Sequence, residues 1–268
     1  MKAYFSYFRL KFISSLQYRA AAWAGIATQF FFGFVYIMVY VAFYESGGKE
    51  LPMSLSQVIT YLWLNQAFLA LVNQFSFDQE LFKLIKDGGI AYELTRPKNL
   101  YFMWYFKVLG QRFANVLLRF IPLVIVTFFL PKPYNFSLSY SFSHFLVFFI
   151  SLGMGSLVVT ALTVLYPIIT LTTMNEKGIV NIMITIADIL SGIVVPIPFF
   201  PKFLQIISSI LPFQYISDLP FRIYVGNISI SFGLKGIIIQ SIWLFLLVGL
   251  GWFLMIHNLK ELAFKEDR

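Results

Sequence analysis

Residues 78–98 read Asp-Gln-Glu-Leu-Phe-Lys-Leu-Ile-Lys-Asp-Gly-Gly-Ile-Ala-Tyr-Glu-Leu-Thr-Arg-Pro-Lys, and this charged segment decides how the chain is arranged. It holds four acids and four bases in 21 residues, whereas the 27 residues before it, 51–77, carry no charge. A charge-free run of that length is long enough to cross about 30 Å of hydrocarbon as a helix. The charged segment is therefore predicted to connect two membrane-spanning helices.

The composition of the whole chain indicates a membrane protein. Of its 268 residues, 59% are hydrophobic and 12% are charged, and the mean hydropathy is +0.78. A soluble domain carries about a quarter charged residues, so this apolar excess requires a lipid environment. The net charge of +8 lies mostly beside apolar stretches, where membrane topology and anionic lipid explain it, so the expected partner is membrane lipid and not nucleic acid. The absence of cysteine excludes disulfides and thiolate metal sites.

The pattern predicts a single transmembrane domain, an all-α membrane protein with six spans. An amphipathic helix over residues 1–19 is expected to lie in the membrane interface, and its recurring bases argue against a cleaved signal peptide. Residues 196–225 hold five of the eleven prolines, so short outer helices are predicted there, either re-entrant or flat on the surface. The six predicted spans are residues 20–44, 56–77, 113–130, 142–171, 179–195 and 236–259.

Two further features refine this arrangement. Residues 100–112 are predicted to form a helical lead-in to the third span, and Gly153 and Gly155 in the fourth span should let another helix approach closely. With the amino terminus inside, the inner connections hold fourteen Lys and Arg residues and the outer connections hold five. The positive-inside rule then places both termini and the charged segment in the cytoplasm.

The charged segment has the pattern of a short amphipathic helix. Its acids open the helix and Lys83 and Lys86 close it, which complements the helix dipole, and Gly88-Gly89 ends it. A solvated loop would not need the apolar side formed by Leu81, Phe82, Leu84 and Ile85. Either lipid or a partner protein would cover that side.

Taken together, these features resemble the type-2 ABC transporter permeases. The motifs Asp-Gly-Gly-Ile-Ala-Tyr-Glu-Leu-Thr-Arg-Pro at 87–97, Ser-Gly-Ile-Val-Val-Pro-Ile-Pro-Phe-Phe-Pro at 191–201 and Leu-Pro-Phe at 211–213 are similar to a branch of uncharacterised bacterial ABC export permeases. The resemblance implies that the charged segment is the cytoplasmic coupling helix, seated in a cleft of a separate ABC ATPase subunit. The residues that it places against the ATPase are Glu80, Leu81, Phe82, Lys83, Ile85, Lys86, Asp87, Tyr92, Glu93 and Arg96.

The same resemblance implies a transport subunit of the bacterial cell membrane and not an enzyme. A second permease, identical or related, would complete the transporter, and residues 196–225 would cap the pathway. The chain has no Gly-x-x-x-x-Gly-Lys-Ser/Thr loop, so it would need no cofactor of its own, and ATP and Mg would be bound by the partner subunit. The substrate is not indicated.

Ionisable residues inside the spans give the other candidate sites. Asp188 in the fifth span is expected to pair with Arg119 in the third, as a structural lock or as a movable gate. Asn181 either lines a pathway or bonds between helices. An alternative function is an ion-coupled secondary transporter with Asp188 as its proton site. An intramembrane enzyme would need a nucleophile with its base or metal ligands, and His144 and His257 are too far apart to supply them.

Overall fold

The structure, a computed structural model, describes residues 2–47, 51–74, 79–95, 98–173 and 178–266, and all of the regular structure within these ranges is helical. Short 3₁₀ turns at Ile197–Phe199 and Phe213–Tyr215 lie among the α-helices. The helices are α1 Lys2–Ser15, α2 Arg19–Glu45, α3 Leu55–Val72, α4 Gln79–Lys86, α5 Ile90–Leu94, α6 Leu100–Phe128, α7 Phe142–Thr173, α8 Gly178–Leu190, α9 Lys202–Ile210, α10 Asp218–Tyr224 and α11 Ile230–Glu266.

Five helices of the described chain are long and apolar enough to cross a membrane, namely α2, α3, α6, α7 and α11. This agrees with the predicted all-α membrane fold. The helix α6 runs unbroken from Leu100, so the predicted lead-in and third span form one helix. The helix α11 is also longer than its predicted span, because it begins at Ile230 and continues to Glu266.

The fifth predicted span, residues 179–195, differs from the structure. Its helix α8 has 13 residues and ends at Leu190, so it covers about 20 Å, less than a bilayer core. The cause is Gly192, whose φ of +81° is left-handed and stops the helix. Its carbonyl accepts a hydrogen bond from the Tyr61 hydroxyl at 3.0 Å, which fixes this turn against α3.

The proline-rich residues 196–225 enter the helical bundle. The carbonyl of Ile216 packs against Gly155, which lies 13 residues, or about 20 Å, into α7. The side-chain amide of Gln240 in α11 donates to the carbonyl of Tyr215 at 2.6 Å. The part around α10 is therefore re-entrant, whereas α9 stays at the surface with exposed apolar residues Phe203, Ile206, Ile207 and Ile210.

The centre of the bundle is α3, of whose 18 residues 14 are buried. It packs against α2, α6, α7 and α10. The Trp63 ring fills the space left by Gly33 on α2 and meets Phe34 edge-on, with the two rings 5.3 Å apart. The predicted spans α2 and α11 lie at the periphery and leave many large apolar side chains exposed, as lipid-facing helices do.

The amino-terminal helix α1 is shorter than predicted and packs closely on α6. The carbonyl of Phe8 lies so close to Gly110 that a Cβ atom there would sit 2.5 Å from it. The Tyr4 hydroxyl accepts a hydrogen bond from the backbone N–H of Asn99 at 3.1 Å, and its ring stacks on Phe106. Because α6 follows the charged segment, these contacts bring α1 beside it.

Candidate functional site

The charged segment forms two short helices, α4 and α5, joined by a glycine turn. Gly88 has a left-handed φ of +69°, and the N–H of Gly89 donates to the carbonyl of Leu84 at 2.9 Å. This is the glycine stop that the sequence predicts. Asp78, Arg96 and Pro97 lie outside the described residues.

The apolar side of α4 faces its own chain. Leu81 is 2% exposed and Phe82 is 8% exposed, and α4 packs against α7. Ile85 is half-buried in the same core. The expectation that Leu81 and Phe82 contact an ATPase is therefore corrected, because burial on the bundle removes both side chains from the surface.

Glu80 ties the charged segment to two other helices. Its carboxylate lies 2.8 Å from Nζ of Lys11 on α1 and 3.0 Å from Nζ of Lys107 on α6. The hydrogen bond from Lys11, with that from Lys107, lowers the pKa of Glu80 to about 2 despite partial burial. Glu93 in α5 accepts a hydrogen bond from Nε1 of Trp104 at 3.4 Å. The carboxylates of Glu80 and Glu93 are thus engaged within the chain.

The variant Glu80→Gln is expected to loosen α4, because surface ion pairs of this kind contribute about 0.2–1 kcal/mol each. Hydrogen exchange at pH 7 should become severalfold faster in residues 79–86, while the exposed neighbour variant Asp87→Asn leaves it unchanged. Equal exchange in wild type and Glu80→Gln would contradict the anchoring role. Since the pKa of Glu80 is lowered from 4.5 to about 2, the anchoring is complete above pH 4.5 and is lost as the pH falls through 2.

The surface that the charged segment presents outward carries four more of the predicted docking residues. Lys83, Lys86 and Asp87 are exposed, and Tyr92 is 81% exposed. Tyrosine is enriched in protein–protein interfaces, and charged residues lie mainly at their polar rim. The candidate docking surface is therefore formed by these four residues.

A buried arginine fixes the end of α3, six residues before α4 begins. Arg112 on α6 is 1% exposed, and its Nη1 donates to the carbonyls of Leu71 at 2.9 Å and Asn73 at 2.7 Å. Its Nη2 donates to the Thr163 hydroxyl of α7 at 3.3 Å. These bonds satisfy carbonyls that a helix end leaves open and join α3 to α6 and α7.

Sequence reasoning placed Arg112 only among the inner bases. The burial of Arg112 could have been predicted from its position on the helix. It shares one side of α6 with Trp104, Val108 and Val116, which are buried at four-residue spacing. A base on such a stripe points into the bundle.

Gln74, Tyr166 and Asp188 complete a buried polar cluster with Arg112. The Tyr166 hydroxyl donates to Oε1 of Gln74 at 2.8 Å, and Asp188 is buried near this pair, with no hydrogen-bond partner for its Oδ1 among the described residues. Asp188 and Arg112 also attract each other electrostatically. The cluster connects α3, α6, α7 and α8 at the level where the chain leaves for the charged segment.

The expected pairing of Asp188 with Arg119 is wrong. Both residues are described, and no ion pair joins them; Asp188 lies near Arg112, about two turns earlier on α6. Arg119 instead lies against Gly25 on α2. Asn181 is exposed at the start of α8, so the structure does not bring it together with either residue.

The charged segment and the buried polar cluster form one connected arrangement at the end of the bundle. Over the ranges that the structure covers, no group of three or more His, Asp or Glu residues could hold a metal ion. The site consists of the helix pair α4 and α5, which is anchored on α1, α6 and α7 and carries the charged docking surface on its outer side. The buried polar cluster around Arg112 lies on the bundle side of this pair.

Comparison with known families gives one match. A family model described as "ABC-2 family transporter protein" matches residues 30–261, which is most of the chain and includes the charged segment, the polar cluster and the re-entrant part. A search of curated proteins finds no match.

Proposed function

Because the chain belongs to the ABC-2 family of transporter proteins, we propose that it is the permease subunit of an ATP-driven exporter. ATP is hydrolysed, with Mg, by separate ABC ATPase subunits, and a second permease, identical or related, completes the pathway. The exporter lies in the bacterial cell membrane with both termini in the cytoplasm, and α8 together with residues 191–229 makes the sixth crossing, between α7 and α11. The observation that carries this proposal is the anchored charged segment with its exposed docking surface.

In this proposal the charged segment transmits force. The docking surface of Lys83, Lys86, Asp87 and Tyr92 contacts the ATPase, while Glu80 and the buried side of α4 keep the segment fixed to the bundle. Closure of the ATPases on ATP displaces α4, and Arg112 passes the displacement from the end of α3 to α6 and α7. The packing of the spans then changes by a shear or rocking movement.

The alternative, a secondary transporter with Asp188 as its proton site, receives less support. Asp188 is 7% exposed, and the nearby buried guanidinium of Arg112 supplies a counter-charge for its carboxylate. A carboxylate with a counter-charge of this kind serves the connection of α8 to α6. The family match also favours a permease that works with an ATPase.

Charge reversal of the docking surface tests the proposal. The double variant Lys83→Glu, Lys86→Glu is expected to insert into membranes normally and to lose the ATPase when the tagged chain is purified in mild detergent. Each lost charge-assisted contact should weaken binding about tenfold or more. The matched control is Lys132→Glu, Lys202→Glu, two exposed bases in the predicted outer connections. Recovery of the ATPase with both double variants would contradict the proposal.

A further inference from the structure

Arg119 of α6 is charged and has no hydrogen-bond or ion-pair partner among the described residues. Its Nε is buried and has no hydrogen-bond partner, and none of the hydrogen bonds or ion pairs of the described residues involves its side chain. The residue is half-buried, with Leu117 and Ile121 beside it exposed by about half. A guanidinium within a membrane span is costly unless an anion or carbonyl group meets it.

The guanidinium of Arg119 fits into a groove beside Gly25 of α2. An added Cβ atom on Gly25 of α2 would lie 2.6 Å from Cζ, 2.8 Å from Nη1 and 2.9 Å from Nε of Arg119. Only a glycine at this position leaves room for the guanidinium against the α2 backbone. The groove between α2 and α6 is thus built around the arginine.

On the facing helix α2, the side chain of Gln29 also lacks hydrogen-bond partners among the described residues. Gln29 is 2% exposed, and neither its amide nitrogen nor its amide oxygen has a hydrogen-bond partner among the described residues. It lies four residues after Gly25, one helical turn further along α2. A buried amide without hydrogen bonds is unfavourable, so this part of the helix also calls for a polar partner.

We propose that Arg119, in the groove beside Gly25, binds the phosphate group of an acidic membrane lipid. Gly25 lies six residues, or about 9 Å, from the start of α2 at Arg19, the end of the helix that we assign to the cytoplasmic side. The flexible stem of an arginine lets the guanidinium reach the headgroup layer from that depth. A phosphate matches the planar donor pair of a guanidinium.

A second copy of this chain does not offer the required acid. Of the twelve Asp and Glu residues, only Asp188 lies within a predicted span and Asp218 within the re-entrant part, and both are buried. The remaining acids lie outside the predicted spans. A lipid phosphate is therefore the anion that this depth of the membrane supplies.

Two variants remove the site by different means. Arg119→Gln deletes the charge. Gly25→Ala displaces the guanidinium and keeps the charge, and the fold is expected to tolerate it because the displaced atoms are the end of a flexible side chain. Gly153→Ala is the matched control, since a Cβ atom on this glycine of α7 meets nothing within 4 Å.

Native mass spectrometry of the full chain in mild detergent, titrated with phosphatidylglycerol or with phosphatidylcholine, measures binding. Wild type and Gly153→Ala are expected to bind phosphatidylglycerol preferentially, and Arg119→Gln and Gly25→Ala to bind it about tenfold to a hundredfold more weakly.

Unchanged binding in both variants would overturn the proposal. So would binding of inorganic phosphate as tight as that of the lipid, or loss of a permease–permease contact in Arg119→Gln with no change in bound lipid. The measurement needs no ATPase, so its result is independent of the proposed function.

Discussion

The variant Arg112→Met is expected to lower the stability of the chain by about 3–5 kcal/mol, the cost of removing one member of a buried charged network. The loss follows from two consequences of the change. The carbonyls of Leu71 and Asn73 lose their donors at the end of α3, and Asp188 remains buried without a nearby positive charge. Thermal unfolding of the purified protein in detergent measures the effect as a lower midpoint temperature.

The same-helix comparison is Arg119→Met, which removes a half-buried arginine that makes none of the hydrogen bonds or ion pairs found within the described ranges. This change should cost much less stability. Arg112→Lys keeps the positive charge but loses the forked donor geometry, so it should recover part of the loss. Equal unfolding temperatures for Arg112→Met and Arg119→Met would contradict the role of the buried polar cluster.

The variant Gly155→Ala is expected to displace the re-entrant part from the bundle. A Cβ atom at this position would lie 2.5 Å from the carbonyl oxygen of Ile216, and the obstacle is backbone that no side-chain rotation can move. Overpacking of this kind costs about 1–3 kcal/mol. Gly153→Ala is the control two residues away, because its Cβ atom meets nothing within 4 Å.

The absence of cysteine makes this displacement measurable. Ser217 is fully buried, and its hydroxyl donates to the carbonyl of Ser191 at 2.7 Å, so Ser217→Cys supplies a single thiol beside Ile216. Maleimide labelling of this thiol should be slow in wild type and with Gly153→Ala, and much faster with Gly155→Ala. Slow labelling in all three backgrounds would contradict the predicted displacement.

The sequence predicts the helical membrane fold well because the signal is local. Long charge-free runs and their flanking bases determine α2, α3, α6, α7 and α11. The stop of the charged segment at Gly88 was equally accessible, since a Gly-Gly pair after an amphipathic turn ends a helix.

The errors concern contacts between distant parts of the chain. The side of α4 that carries Leu81 and Phe82 was correctly identified as apolar. It packs against α7 of the same chain. Asp188 was expected to meet Arg119 because both are ionisable, whereas the rotation of α6 about its axis brings Arg112 to it. The early end of α8 depends on Gly192, whose left-handed conformation is fixed by contacts with Tyr61 and Asp218 from other elements.

The length of α11 limits how an ATPase can approach. Gly251 packs against the ring of Tyr101 in the first turn of α6, and α11 continues for 15 residues beyond Gly251, about 22 Å. Asn258 in this stretch donates to the carbonyl of Ile168 in α7 at 2.8 Å, so α11 still packs on α7 beyond Gly251 and ends on the same side of the bundle as the charged segment. In the proposed function, an ATPase seated on Lys83 and Tyr92 therefore needs clearance for the end of α11. The distance that α11 extends past the first turn of α6 is thus a steric limit on the proposed ATPase partner, in addition to the charges of the docking surface.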